Sequence, residues 1–184
     1  MNSKAVKTAD ISVEQLERIE KLLGRAPRGL LTIELFDQAG EPAVLRVAPL
    51  VESKPFPTLF WLIHPQINYW LDGLEASGVI AKLQAEINSG AVSVTEMARY
   101  HAWYVQERWQ SASQCLQDEI CRLGYREVLE QKGVGGLGDF SRVRCLHTWY
   151  GAHLISPNPV GNWLDSHEDF RFAQLEEFFG DSIR

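Results

Sequence analysis

The segment Pro55-Phe-Pro-Thr-Leu-Phe-Trp-Leu-Ile-His-Pro65 divides this chain into two halves of different character. Thr58 to Ile63 is a short, fully apolar, aromatic run, which reads as a strand covered on both faces and central in its sheet. His64-Pro65 then ends the strand where a helix can begin. Upstream, Leu30 to Phe36 and Ala43 to Ala48 read as strands on either side of Asp37-Gln-Ala-Gly40, whose residues suit a reversal. Downstream, no proline occurs from Gln66 to Ser156. Interior proline breaks helices, so this interval predicts stacked helices. The expected fold is α+β: a small, mainly antiparallel three-stranded sheet covered by a larger helical layer built from residues 66 to 156.

Local signals place the helices. Ser12 with Gln15 forms a capping-box pattern, Val13, Leu16, Ile19 and Leu23 follow at helical spacing, and Gly24 is a stop. Ile67, Trp70, Leu71 and Leu74 mark a helix from Pro65 to near Gly78, and Val79 to Ile87 a shorter one. Ser93 with Glu96 opens a pattern running to about Leu123. That pattern is either a spine across the molecule or broken at Ser111-Ala-Ser113. A helix from about Ser141 to Ile155 ends before Pro157, and Asp169 to Phe179 suits a final short helix. Residues 1–11 read as a flexible N-terminus and 12–184 as one domain.

The 184 residues include 45% hydrophobic and 23% charged side chains, in the ordinary range of folded proteins. A net charge of −6 argues against a basic face over the whole molecule, which disfavours nucleic acid as a partner. After residue 164, six acids (Asp165, Glu168, Asp169, Glu176, Glu177, Asp181) face only Arg171 and Arg184. Cys115, Cys121 and Cys145 are odd in number and lack metal-knuckle spacing, which fits reduced thiols. Met1 to Asp10 has no apolar signal core, and runs such as Leu59 to Ile63 are too short to span a bilayer. A cytoplasmic protein without a membrane partner is expected.

The stretch Gly133-Val-Gly-Gly-Leu-Gly-Asp-Phe-Ser-Arg-Val-Arg-Cys-Leu-His147 carries the candidate site. A glycine loop leading into a helix start offers backbone N–H groups and partial positive charge to an anion. Gly135, Gly136, Gly138, Ser141, Arg142 and Arg144 are the candidate anion-binding residues, with His64, Cys145, His147 and His153 lining the pocket. The loop lacks the Gly-Lys-Ser/Thr of a phosphate-binding loop, and no strand precedes it as a dinucleotide fingerprint requires. The plainer reading is a connection between helices, capped by Asp139 or Ser141.

On a straight helix His147 and His153 diverge and Cys145 lies nearly opposite His147. The expectation is therefore no metal and no cofactor. Cys145, near a helix start between Arg144 and His147, has the setting of an activated thiol. Gly151, however, occupies the place six residues on where cysteine phosphatases carry arginine, so a buried, unreactive cysteine is expected. His101, in register with Met97 and Tyr104, reads as a satisfied core histidine. The tryptophans could stack a base or ring but more often build cores and partner surfaces.

Five segments in order resemble the bacterial family known as domain of unknown function 501. They are Leu23-Gly-Arg-Ala-Pro-Arg-Gly29, Pro55 to Pro65, Leu74-Glu-Ala-Ser-Gly78, the glycine loop with Arg142-Val-Arg-Cys-Leu-His147, and Asn158-Pro-Val-Gly161. The resemblance implies a single-domain cytoplasmic protein, with genes near exopolyphosphatase and cell-division genes in several bacteria, and supplies no catalytic residue. Many relatives carry cysteine in the first hairpin, where this chain has Asp37-Gln-Ala-Gly40, and Gln110 to Gln131 looks longer than usual. The leading expectation is binding of a phosphate-bearing or other anionic small molecule at the glycine loop. The alternative is a non-catalytic interaction module that docks another bacterial protein; a metal-dependent hydrolase ranks third.

Overall fold

The computed structural model describes residues 6–166 and 172–180. Its sheet contains the three expected strands, β2 (Leu30–Phe36), β3 (Pro42–Val47) and β6 (Phe60–Leu62), all antiparallel. A two-residue strand β1 (Val6–Lys7) pairs with β2, giving the order β1-β2-β3-β6 and tying down part of the segment read as a flexible N-terminus. A separate ribbon joins β4 (Leu50–Val51) to β5 (Lys54–Pro55). The aromatic strand is thus at the sheet margin, not its centre. Its apolarity comes from coverage by a helix, which a marginal strand can receive as well as a central one.

Strand alternation divides the core. Ile33, Leu45 and Ile63 point to one face and pack with Ile19 of α1 (Val13–Leu23). Ala43, Val44, Leu35 and Phe60 belong to the larger cluster under the remaining helices. The capping box at Ser12 and Gln15 is formed, and α1 ends at Gly24 with φ 67°. In chain order follow α2 (Pro65–Ala76), α3 (Val79–Ser89) and α4 (Val94–Ser111), which supply residues to the larger cluster, then α5 (Gln114–Arg122) and α6 (Arg126–Glu130). The long pattern breaks at Ala112, which is extended, and Ser113 caps α5 by accepting the Leu116 N–H. Three helices complete the chain: α7 (Leu146–His153), α8 (Pro159–Asp165) and α9 (Phe172–Phe179). The first residues of the expected terminal helix, 169–171, lie outside the described residues.

Helix α7 is the hub. Leu146, Trp149, Tyr150, Gly151, Ala152 and His153 are all buried, so it is enclosed on nearly all sides, unlike the one-sided helix the spacing suggested. Gly151 lets it lie directly on β6: an added Cβ would sit 3.1 Å from the Leu62 Cβ.

His101, on α4, is fully buried, with the Val134 N–H donating to its Nδ1 at 3.0 Å. Burial pushes its pKa down to about 4, partly opposed by the Phe140 carbonyl and reinforced by the charge of Arg108. The unfolded chain takes up this proton near pH 6.5 and the folded chain only near 4. Stability from this group is therefore complete above about pH 6.5 and declines by about 3 kcal/mol as pH falls toward 4. Imidazole resonances followed by NMR should show His101 still neutral at about pH 5, below the unperturbed pKa. A His101 titration near the unperturbed value would contradict this account.

Candidate functional site

The glycine loop is closed on itself. Gly133 N–H donates to Leu137 O, Gly136 N–H to Gly133 O and Leu137 N–H to Val134 O, while Val134 N–H goes to His101. Gly135 and Gly136 have φ of 66° and 72°, and a Cβ on Gly136 would meet Pro57 at 3.0 Å. These glycines serve tight packing, and most of the loop's donors are spent internally.

The helix after the loop starts later than the spacing indicated. Asp139 Oδ1 accepts from both the N–H and hydroxyl of Ser141, which holds its carboxyl below its usual pKa. Gln84 of α3 then acts as a short strand partner: its amide donates to Ser141 O and accepts the Val143 N–H. With these backbone groups occupied, Arg142 to Cys145 stay non-helical, and Cys145 caps α7 with extended φ −148° and ψ 124°. Exposure alternates accordingly: Arg142 and Arg144 are exposed on either side of buried Val143. Gly138 is exposed beside Lys132, and Ser141 is half-buried.

The extended conformation at residue 145 overturns the expectation that Cys145 and His147 diverge. Cys145 Sγ lies 3.8 Å from His147 Nδ1, and the thiol is half-buried rather than enclosed. A third group, missed in the sequence, completes the corner. Glu75 of α2 places Oε1 3.2 Å from His147 Nδ1 and accepts the Leu146 N–H at 2.6 Å. On the opposite side of the ring, Nε2 faces the Asn68 carbonyl and Asp72 Oδ1, each at 3.3 Å. The hydrogen bond to Cys145 is the main influence raising the His147 pKa to about 9, against the cost of burial and with help from the charges of Cys145 and Glu75. Asn68, Asp72 and Glu75 stand at i, i+4 and i+7, the spacing of one helix face.

The other two histidines lie elsewhere. His64 caps α2 through Nδ1, which receives the Ile67 N–H, and its Nε2 lies 3.6 Å from Asp37. Burial lowers its pKa despite the carboxylates of Asp37 and Glu41. His153 is held by Asp165 at 2.8 Å and by the Asn158 N–H at 3.1 Å, locking α7 to α8. Of the four expected pocket residues, Cys145 and His147 come together, whereas His64 and His153 serve packing and capping.

The site thus defines a class: an α+β protein with a thiol–imidazole–carboxylate corner beside two exposed arginines. The model of the family described as protein of unknown function (DUF501) matches residues 33–166, and the chain belongs to that family. The matched range contains the segments at 55–65, 74–78, 133–147 and 158–161, and with them every residue of the corner. No curated protein and no solved structure matches the chain. Among the described residues no helix is long and apolar enough to cross a membrane.

Proposed function

We propose that this protein binds a phosphate-bearing or other anionic small molecule at the surface of Arg142 and Arg144. The observation that supports the reading is that neither is held in a salt bridge among the described residues, Arg142 reaching the nearby Asp139 carboxyl only through its charge. Arg18, Arg28, Arg46, Arg122 and Arg126 each form a salt bridge. Among the described residues neither Arg142 nor Arg144 does, although the chain carries a net charge of −6. The closed glycine loop shifts the proposed contact from backbone N–H groups to these side chains, with planar guanidinium donors suited to phosphate oxygens.

Calorimetry with phosphate, pyrophosphate, polyphosphate and nucleotides tests this. A charged hydrogen bond is worth about 1.5–3 kcal/mol, so Arg142→Ala or Arg144→Ala should weaken binding about ten- to a hundredfold. Absence of binding by the wild-type protein, or unchanged binding by both variants, would favour the interaction-module reading. That second reading is supported by a separate open groove of about 360 Å³, lined by Tyr100, Trp103, Pro157 and Asn162 among others.

A further inference from the structure

We propose that Glu75, Cys145 and His147 form a zinc site with three protein ligands and a fourth position open to solvent. Their ligand atoms all lie within 4.8 Å of one another. The Sγ–Nδ1 distance is 3.8 Å and the Nδ1–Oε1 distance 3.2 Å. A tetrahedral zinc ion with ordinary bond lengths separates sulfur from nitrogen by about 3.6 Å and nitrogen from oxygen by about 3.4 Å. Two of the three pairs therefore stand within about 0.2 Å of the spacing that the ion imposes, and the third, sulfur to oxygen, lies within 4.8 Å.

The surroundings orient the ligands. His147 Nε2 faces the Asn68 carbonyl, so a proton on Nε2 is satisfied there and the Nδ1 lone pair points toward Cys145 and Glu75. Asp72 Oδ1 lies beside the same Nε2, a carboxylate–histidine pairing that strengthens an imidazole ligand. The Leu146 N–H holds the Glu75 carboxylate in place. One thiolate and one carboxylate balance the two charges of zinc, and thiolate with imidazole selects it over harder cations such as magnesium. The His147 and Glu75 side chains are 23% and 28% exposed, which leaves room for water as the fourth ligand. Binding releases the Cys145 thiol proton and any proton on Nδ1. This inference stands apart from the arginine reading, since neither guanidinium is a ligand.

The test is metal titration of chelator-stripped full-length protein, followed by elemental analysis and by cobalt substitution. One equivalent of zinc per chain is expected, and cobalt should give a tetrahedral visible spectrum with a thiolate charge-transfer band. Cys145→Ser should abolish that band, and His147→Ala should weaken zinc by more than the roughly ten- to hundredfold typical of losing an outer-shell partner. Asp72→Asn should fall within that outer-shell range, and Cys115→Ser and Cys121→Ser should change nothing. Thermal melts of the metal-free variants check that they fold. Failure of the folded wild-type protein to take up zinc or cobalt, or a charge-transfer band that survives Cys145→Ser, would overturn the proposal.

Discussion

Alanine at Gly161 or Gly133 is expected to be among the most damaging single-atom additions to this protein. A Cβ at Gly161 would lie 2.0 Å from His153 Cγ, and one at Gly133 1.9 Å from His101 Nδ1. Neither ring can yield cheaply. His153 is fixed by Asp165 and the Asn158 N–H, while His101 is fixed by the Val134 N–H and stacks on Phe140 with centroids 4.3 Å apart. Overpacking usually costs about 1–3 kcal/mol, and contacts this short belong at or above the top of that range. For a chain of this length, a loss of about 3 kcal/mol lowers the melting temperature by about 6–12 °C. Gly73, inside α2 with open space around its Cβ direction, supplies the contrast: Gly73→Ala should stabilise by about 0.5–1 kcal/mol. Thermal melts of the three variants decide the matter, and a loss below about 1 kcal/mol for Gly133→Ala and Gly161→Ala would refute the packing argument.

Arg108→Met should be comparably severe. Arg108 is 1% exposed, and its guanidinium donates to the carbonyls of Leu129, Lys132 and Gly133. Burial lowers its pKa, yet these carbonyls and the Tyr104 ring, 5.3 Å away, favour the charged form. Methionine retains much of the volume but none of the donors. Freeing its desolvated charge offsets part of the loss, leaving a net cost of about 3 kcal/mol once the carbonyls lack partners. The effect should be local as well as global. Hydrogen exchange should accelerate first in residues 126–137, where α6 runs into the glycine loop. Lysine should restore only part of the stability, because one ammonium cannot span carbonyls arranged for a planar fork. A methionine variant that melts like the wild type would remove Arg108 from this role.

These two cases show why parts of the molecule were legible in the sequence and others were not. Ser12 with Gln15 and Ser93 set helix boundaries through bonds to their own neighbours, Gly24 through its left-handed φ and Pro65 through its first-turn position, and those boundaries fall where their chemistry places them. The α+β division at Pro65 was equally readable, since strand and helix periodicities differ within a few residues. The start of α7 was not. Its delay depends on Gln84, 57 residues before Ser141 and 59 before Val143, and its first N–H is taken by Glu75, 71 residues before Leu146. Helical spacing therefore separated Cys145 from His147, whereas the extended cap brings them together. Glu75 was an ordinary surface acid until the fold carried α2 against that cap. Similarly, Gly133 to Gly138 resembled an anion cradle because composition records the permitted turns but not where their N–H groups are spent.

The short strands at the sheet margins have a consequence for behaviour at high concentration. An exposed strand edge is a template on which another chain can add its own backbone, the first step toward aggregation. Here one margin is β1, with two residues, and the other is β6, with three residues overlaid by α7. The longer strands β2 and β3 lie between them, β1 pairing with β2 at Thr32 and Ile33. Among the described residues each margin strand is too short to offer a long continuous ladder, and α7 overlies one of them.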